Sequence, residues 1–229
     1  MSEPLRVALV AEGPTDKVVL ESALTSMLAG RSFIFRQLQP EESLPFGEPA
    51  TGWVGVHNWC RSAVKRSDGA LRKDILYNTY DILILQLDAD VADKTYASGN
   101  IPDQNTDLPC RKPCPPPEAS TNPLRKVLLR WAGETSAPPK TVLCTPSKSM
   151  EAWVVAALFP NDTAVRHGIE CWDRPEIRLG QQPANRRIQK RIEDYESHFE
   201  ELKSAWPNLA ATLTQAGRFE NEFLALVPS

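Results

Sequence analysis

Residues 5–16, LRVALVAEGPTD, decide the fold of this chain of 229 residues. The first half of this stretch is nearly all apolar, which is typical of a strand covered on both faces of a sheet. Gly13 ends the strand, and Thr15 or Asp16 can cap a helix directly behind it. The stretch therefore predicts a β-strand followed at once by a helix, with Glu12 at the junction.

Three further apolar runs have the length and composition of buried strands. The predicted strands cover residues 5–11, 33–39, 82–87 and 141–147. Helical patterns lie between them, and alternation of strand and helix implies a parallel sheet with helices on both faces. The sequence therefore predicts the α/β class, with a central sheet of about four strands and a mainly helical C-terminal segment.

The predicted helices and loops follow from apolar periodicity and from proline and glycine. Helices are expected at residues 15–29, 57–78 with a break at 68–69, 122–133, 149–159, and over most of 186–227 with a break at 206–207. Residues 40–56, 91–122 and 161–185 are expected to be irregular. A loop as long as 91–122 is usually a functional flap or a mobile segment.

Composition excludes some classes of protein. The net charge is −3, which is unlike the strongly basic balance of a passive nucleic-acid-binding module. A bound metal or a local basic patch still allows an acidic protein to hold phosphate. No apolar run approaches the ~20 residues of a membrane span, and the N-terminus lacks the basic start of a signal peptide. We therefore expect a cytoplasmic protein that makes no contact with a membrane.

The five cysteines are an odd number without the spacing of a disulfide framework. Cys110 and Cys114 form the one close pair, in the sequence CRKPC. A structural zinc would need two more ligands, and no CxxC or HxxxH motif accompanies the pair. Free thiols in a loop are the expectation, with a zinc site as the alternative.

Four carboxylates lie where predicted strands leave the core. Glu12 follows the first strand, Asp88 and Asp90 follow the third, and Glu151 begins the helix after the fourth. Aspartates at i and i+2 on a strand point the same way, so both could bind one Mg²⁺. Each residue also has an ordinary alternative, as a solvated carboxylate near a helix N-terminus or as a turn former.

Cationic residues could hold phosphate near these carboxylates. Lys148 precedes Glu151 and could contact a phosphate oxygen. Residues 174–191 are the most basic window and could follow a nucleic-acid backbone. The candidates there are Arg178, Arg186, Arg187, Lys190 and Arg191. The alternative for the window is a solvated helix face.

The motifs VAEGPTD at 10–16 and LQLDAD at 85–90 resemble the Toprim domain, the metal-binding module of topoisomerases, primases and OLD-family nucleases. PSKSMEAW at 146–153 is similar to a stretch of small stand-alone Toprim-like proteins, several of them associated with anti-phage defence. The resemblance spans roughly residues 5–160. It implies a Toprim-like domain at 1–160, with the proline-rich insert 91–122, and a helical extension at 161–229.

The resemblance also implies chemistry. Glu12 would be a general acid/base or metal ligand, Asp88 and Asp90 would bind Mg²⁺ (or Mn²⁺), and Glu151 would add a fourth carboxylate. Two features depart from a minimal Toprim domain: the long insert and the unmatched C-terminal third. A GxxxxGK[ST] loop is absent, so ATP-dependent regulation would need an ATPase partner on another chain.

Three functions remain open at this point. The first is a metal-dependent nuclease acting on nucleic acid, with DNA favoured over RNA. The second is a non-catalytic interaction subunit that works with an ATPase partner. The third is a phosphoryl-transfer enzyme acting on nucleotides or small phosphates. The helical C-terminus could serve as a dimer interface or as a lid, so an oligomer also remains open.

Overall fold

The computed structural model describes residues 3–40, 51–102 and 105–228. Its centre is a four-stranded sheet in the order β2-β1-β3-β4, with all neighbours parallel. The strands are β1 (Leu5–Val10), β2 (Phe33–Gln39), β3 (Ile82–Gln86) and β4 (Thr141–Cys144). The predicted α/β class and the four predicted strands are confirmed.

Ten α-helices lie within the described ranges. They are α1 (Pro14–Met27), α2 (Gly52–Arg66), α3 (Leu76–Thr79), α4 (Glu118–Trp131), α5 (Glu151–Leu158), α6 (Thr163–Arg166), α7 (Glu176–Gly180), α8 (Ile192–Glu196), α9 (Phe199–Thr212) and α10 (Thr214–Leu224). Short 3₁₀ helices cover Leu71–Lys73, Ala89–Asp93, Tyr96–Gly99, Ile169–Cys171 and Ala184–Arg186.

Successive side chains of a strand point to opposite faces of the sheet. Helices cover both faces here, because both carry apolar side chains. Val7 and Leu9 of β1 belong to one apolar core, shared with α1, α5 and the C-terminal helices. Ala8 and Val10 belong to the other, shared with α2 and α4. The near-continuous apolar pattern of β1 follows from this double coverage.

The C-terminal helices pack on the α1 and α5 face of the sheet. Trp206 of α9 meets Trp153 of α5 edge-on, with ring centroids 5.5 Å apart. Phe219 of α10 lies 6.0 Å from Trp206. All three rings belong to the same buried cluster as β1. The helical extension therefore completes the core on this face.

The strand order predicts a crevice at the carboxyl ends of β1 and β3. The chain runs from β1 to β2 on one side, and later to β3 and β4 on the other. β1 and β3 are direct neighbours, with Val10 paired to Leu85 at their carboxyl ends. In open α/β sheets, ligands bind beyond such a switch point. Residues that follow β1 and β3 are thus brought to a natural binding position.

Several predicted boundaries are wrong. α2 begins at Gly52, inside the predicted loop 40–56, of which 41–50 lie outside the described residues. α4 begins at Glu118 rather than at 122 and continues through Pro123. A proline inside a helix removes one backbone hydrogen bond. Here the helix keeps its course because Leu124 and Leu128 are fully buried against the sheet.

The C-terminal prediction also needs correction. Residues 161–185 are not irregular but contain α6, α7 and a 3₁₀ turn. α9 continues through Pro207, and the chain turns later, at Leu213. The indole of Trp206 is buried and donates to Glu220 at 2.6 Å. The helix is thus packed against α10 at the point where proline alone predicted a break.

The cysteine prediction was wrong for one member of the pair. Cys114 forms a disulfide with Cys171, 57 residues away, with Cα atoms 5.4 Å apart. Cys110 is a free thiol. The pairing joins two loops that meet only in the folded chain, so sequence spacing could not reveal it. Disulfides are rare in cytosolic proteins, so this bond does not support the cytoplasmic expectation.

The proline-rich insert 91–122 is tied to the second core. The Tyr96 hydroxyl donates to Asp107 at 2.9 Å and accepts from the Trp131 indole at 3.0 Å. Arg130 binds the same carboxylate at 2.6 Å. The described part of the insert is therefore built against α4.

No helix among the described residues is both long and apolar enough to cross a membrane.

A matched pair of substitutions tests the packing of the C-terminal helices. A Cβ at Gly217 in α10 would overlap the Ala210 carbonyl of α9, whereas a Cβ at Gly180 in α7 meets nothing within 4 Å. Glycine costs a helix about 0.5–1 kcal/mol relative to alanine. Gly180→Ala should therefore be neutral or slightly stabilising, while Gly217→Ala should destabilise by about 1–3 kcal/mol. Urea unfolding checks both, and equal effects would contradict this packing.

Candidate functional site

The four predicted carboxylates line one cavity at the carboxyl edge of the sheet. Glu12 follows β1, Asp88 and Asp90 follow β3, and Glu151 begins α5 behind β4. The cavity has a volume of about 670 Å³ and lies beyond the switch point between β1 and β3. The structure therefore brings together residues that are up to 139 positions apart (151 − 12) in the chain.

Gln86 at the end of β3 holds two of these carboxylates in place. Its Oε1 accepts from the Glu12 amide at 3.0 Å, and its Nε2 donates to Asp88 Oδ1 at 2.8 Å. The Asp88 amide donates to Glu12 Oε1 at 2.7 Å. Asp88 Oδ1 also accepts from the Met150 amide at 3.1 Å. These bonds fix the ends of three neighbouring strands relative to one another.

Sequence reasoning overlooked Gln86. It is fully buried and is the one polar residue in the strand sequence ILILQ. A buried amide must find hydrogen-bond partners. Its position directly before the Asp88 turn was the available signal that it serves the site.

Asp88 and Asp90 reach the cavity differently from the prediction. β3 ends at Gln86, and Asp88 caps a 3₁₀ helix that contains Asp90, so the two are not alternate residues of a strand. The turn is held by Ala89 and Asp90 amides, which donate to the carbonyls of Pro146 and Lys148. Asp88 is buried as a result, while Asp90 is exposed at the cavity mouth.

Asp16 adds a carboxylate that sequence reasoning treated only as a helix cap. It is 2% exposed, and its Oδ2 accepts from the Gly13 amide at 2.8 Å. The N-cap of α1 is therefore Gly13 and not Thr15 or Asp16 as predicted, and Asp16 binds the N-cap amide from the first turn of the helix. Burial and the nearby charge of Glu151 raise the pKa of Asp16 to about 7, so it also belongs electrostatically to the site.

Lys190 lies inside the acidic site. It was predicted to follow a nucleic-acid backbone, but its Nζ lies 2.9 Å from Glu151 Oε1. The Tyr195 hydroxyl donates to the same oxygen at 3.3 Å. Burial alone would lower the pKa of Lys190, but the carboxylates Glu151, Asp16 and Asp88 raise it above its usual range. Lys190, whose side chain is 61% exposed, therefore brings a positive charge to these acids from the solvent side.

The carboxylates divide into two kinds. Burial and the charge of Asp90 raise the pKa of Glu12 to about 8. Burial, together with Glu12 and other neighbours, raises the pKa of Asp88 well above its usual range. The pKa of Asp90 is also raised, because the cavity walls partly remove water from its carboxyl group although the side chain is exposed at the mouth. Burial would raise the pKa of Glu151 too, but Lys190 outweighs it and lowers that pKa. One ammonium thus compensates one carboxylate and leaves the others mutually repelling.

Basic side chains surround the cavity mouth. Lys148, predicted to contact phosphate, donates to Asp173 at 2.6 Å. Arg111 of the insert binds Asp93 at 2.9 Å and Asp173 at 3.2 Å. Lys94 and Arg174 also line the cavity.

The other basic candidates lie outside this cavity. Arg178 binds Asp162 at 2.9 Å, Arg191 binds Asp194 at 2.9 Å, and Arg186 approaches Glu201 at 3.7 Å. Arg187 donates to the carbonyl of Gln182 at 3.3 Å. Three of these four side chains therefore have acidic partners in the same chain. Sequence order alone could not show these pairings.

The donor set suits a hard divalent cation in its chemistry, because Mg²⁺ prefers carboxylate oxygen. Glu12 Oε2 and Asp88 Oδ2 accept no hydrogen bond from any described residue. Across the described ranges, however, no group of three or more His, Cys, Asp and Glu side chains converges closely enough to hold a metal ion. The acids surround the cavity rather than meet at one point, so binding would draw them inward.

Comparisons of the chain with protein-family models, with curated proteins and with solved structures found no match.

Replacing Glu12 by Gln tests the repulsion directly. Because the pKa of Glu12 is raised from 4.5 to about 8, the folded state retains a proton that the unfolded state releases, and this residue lowers stability as pH rises through that interval. Glu12→Gln imitates the protonated form. In EDTA it should stabilise the protein by roughly 1–3 kcal/mol at pH 8 and have little effect at pH 5.

Denaturant unfolding of wild type and variant at both pH values checks this expectation. A variant that is less stable at pH 8, or whose effect is the same at both pH values, would contradict it.

Proposed function

We propose that this protein is a Mg²⁺- or Mn²⁺-dependent hydrolase of phosphodiester bonds in nucleic acid, with DNA favoured over RNA. The observation that carries the proposal is the cavity itself. Glu12, Asp88, Asp90 and Glu151 line it together, and cationic and further acidic side chains complete its lining. Carboxylates that hold a metal ion, with Lys148 and Arg111 nearby, suit a phosphate that is bound through that ion.

The carboxylates would have different roles, in binding the metal ion and in transferring a proton. Asp88 and Asp90 would bind the ion, and Glu12 Oε2, which accepts no hydrogen bond from a described residue, would take the proton from the attacking water. A bound divalent ion supplies Lewis acidity and stabilises charge on the leaving oxygen. Gln86 would keep Glu12 and Asp88 aligned through its two hydrogen bonds.

The cations would hold the substrate. Lys148 and Arg111 both bind Asp173, an exposed carboxylate, at the cavity mouth. The Arg111–Asp173 pair is exposed to solvent, and such pairs contribute about 0–1 kcal/mol, whereas the Lys148 side chain is only 15% exposed. A phosphate oxygen could therefore replace Asp173 as the partner of Arg111 at little cost. The place of these two residues at the mouth suits the binding of a nucleic-acid backbone.

A non-catalytic role beside an ATPase partner remains the second candidate. It is favoured by the Lys190–Glu151 pair, which neutralises part of the site without a metal, and by the lack of three converged ligands among described residues. It leads us to expect a folded protein with no metal-dependent cleavage.

Cleavage assays separate the two. Supercoiled plasmid, single-stranded DNA and structured RNA would be incubated with Mg²⁺, Mn²⁺ or EDTA. Glu12→Gln and Asp88→Asn should lower the rate by at least about 10²-fold, the usual range for losing acid–base catalysis. Asp68→Asn is the control, because Asp68 is an almost fully exposed carboxylate in a left-handed turn that asparagine also tolerates.

Metal-dependent cleavage by wild type and by Asp68→Asn, lost in the two cavity variants, would support the hydrolase. A well-folded wild type that cleaves nothing with either metal would instead support the interaction subunit.

A further inference from the structure

We propose that nucleic acid reaches this site as a single flexible strand and that intact duplex is excluded. The inference rests on the proposed function and names its substrate class. It draws on three features of the cavity: the depth of the carboxylates, the covalent bridge across one wall, and the character of the lining.

Two carboxylates of the cavity lie deep, whereas Asp90 is exposed at its mouth. Asp88 is 6% exposed and Glu151 is 2% exposed. The cavity above them, about 670 Å³, falls within the ~300–1,000 Å³ of sites that enclose a small molecule. This space suits a nucleotide or two of a strand, so a scissile phosphate must leave the surface and enter the cavity.

One wall of the cavity is closed covalently. Residues 110–114 of the insert and residues 171–175 are joined by the Cys114–Cys171 disulfide, and we call these two segments the bridged wall. Arg111 and Asp173, one from each segment, form an ion pair at 3.2 Å and line the cavity. Lys148, in the loop after β4, forms a salt bridge with Asp173.

Duplex DNA does not suit this shape. It is a stiff rod with a persistence length of about 150 base pairs, so one phosphate cannot turn inward without its neighbours. Unstacking a nucleotide so that it enters a pocket costs a few kcal/mol, and least when the strand is already single. A single strand can bend past the bridged wall at much lower cost.

The lining favours the backbone over the bases. No aromatic residue lines the cavity, whereas seven lining residues are acidic, able to hold phosphate through a metal ion, and five are cationic: Lys94, Arg111, Lys148, Arg174 and Lys190. Proteins that hold single strands by base stacking use aromatic platforms, whereas charge alone follows the phosphates. Binding should therefore depend on strandedness and salt, with little preference for sequence.

The experiment measures binding separately from cleavage. Fluorescence anisotropy would compare a labelled single strand of about 12 nucleotides with its blunt duplex, in Mg²⁺, using Glu12→Gln protein so that the DNA stays intact. We expect the single strand to bind at least about tenfold more tightly. Equal binding, tighter binding of the duplex, or no binding of either DNA would overturn the inference.

The disulfide provides a matched pair of variants in the same background. Cys114→Ser opens the bridged wall, and Cys110→Ser changes a free cysteine four residues away. Cys114→Ser should reduce the preference to about threefold or less by improving duplex binding, whereas Cys110→Ser should keep it. An unchanged preference in Cys114→Ser would overturn the role of the bridged wall.

Failure of this inference is distinct from failure of the proposed function. A single-strand preference in binding, with no cleavage by wild type, would support the inference and remove the hydrolase. Cleavage of duplex as fast as of single strand by wild type would overturn the inference and keep the hydrolase.

Discussion

Repulsion among buried carboxylates is the constraint on which this structure depends. Glu12, Asp16 and Asp88 are buried or nearly so, and their pKa values are raised by burial first and then by neighbouring carboxylates: Asp90 for Glu12, Glu151 for Asp16 and Glu12 for Asp88. A fold selected for stability alone would not gather such groups, because burying an unpaired charge is costly. The pKa of Glu151 is lowered instead, because the ammonium of Lys190 lies beside its carboxylate. Lys190 thus compensates one carboxylate of the site, while the raised pKa values of Glu12 and Asp88 mean that protons compensate those two near neutral pH.

The rest of the architecture serves to hold those charges close. A parallel sheet brings the ends of β1, β3 and β4 to one edge, and Gln86 locks the first two together through its amide. Two buried apolar cores on opposite faces of the sheet stabilise the fold and offset the unfavourable free energy of burying these carboxylates. The helical extension contributes to the first of these cores and also carries Lys190 to Glu151.

The sequence was most informative about features that depend on neighbouring residues in the chain. Apolar runs bounded by Gly13 and by the Asp88 turn predicted the strands, and strand order along the chain suggested that their carboxyl ends share an edge. The Cys114–Cys171 pair and the position of Lys190 were out of reach, because both depend on contacts between segments far apart in the chain. Pro207 misled for the same reason: tertiary packing of Trp206 overrides the local signal. Of the features that the sequence analysis overlooked, Gln86 was the one with a local signal, because it is a polar residue in a buried strand.

The most direct test of the central claim is to locate bound Mn²⁺ by its anomalous scattering in crystals of the protein. The account predicts a peak bounded by Glu12, Asp88 and Asp90 at the carboxyl edge of β1 and β3, with those side chains drawn inward. A structure at millimolar Mn²⁺ with no peak in the cavity, and with Lys190 still the partner of Glu151, would contradict it.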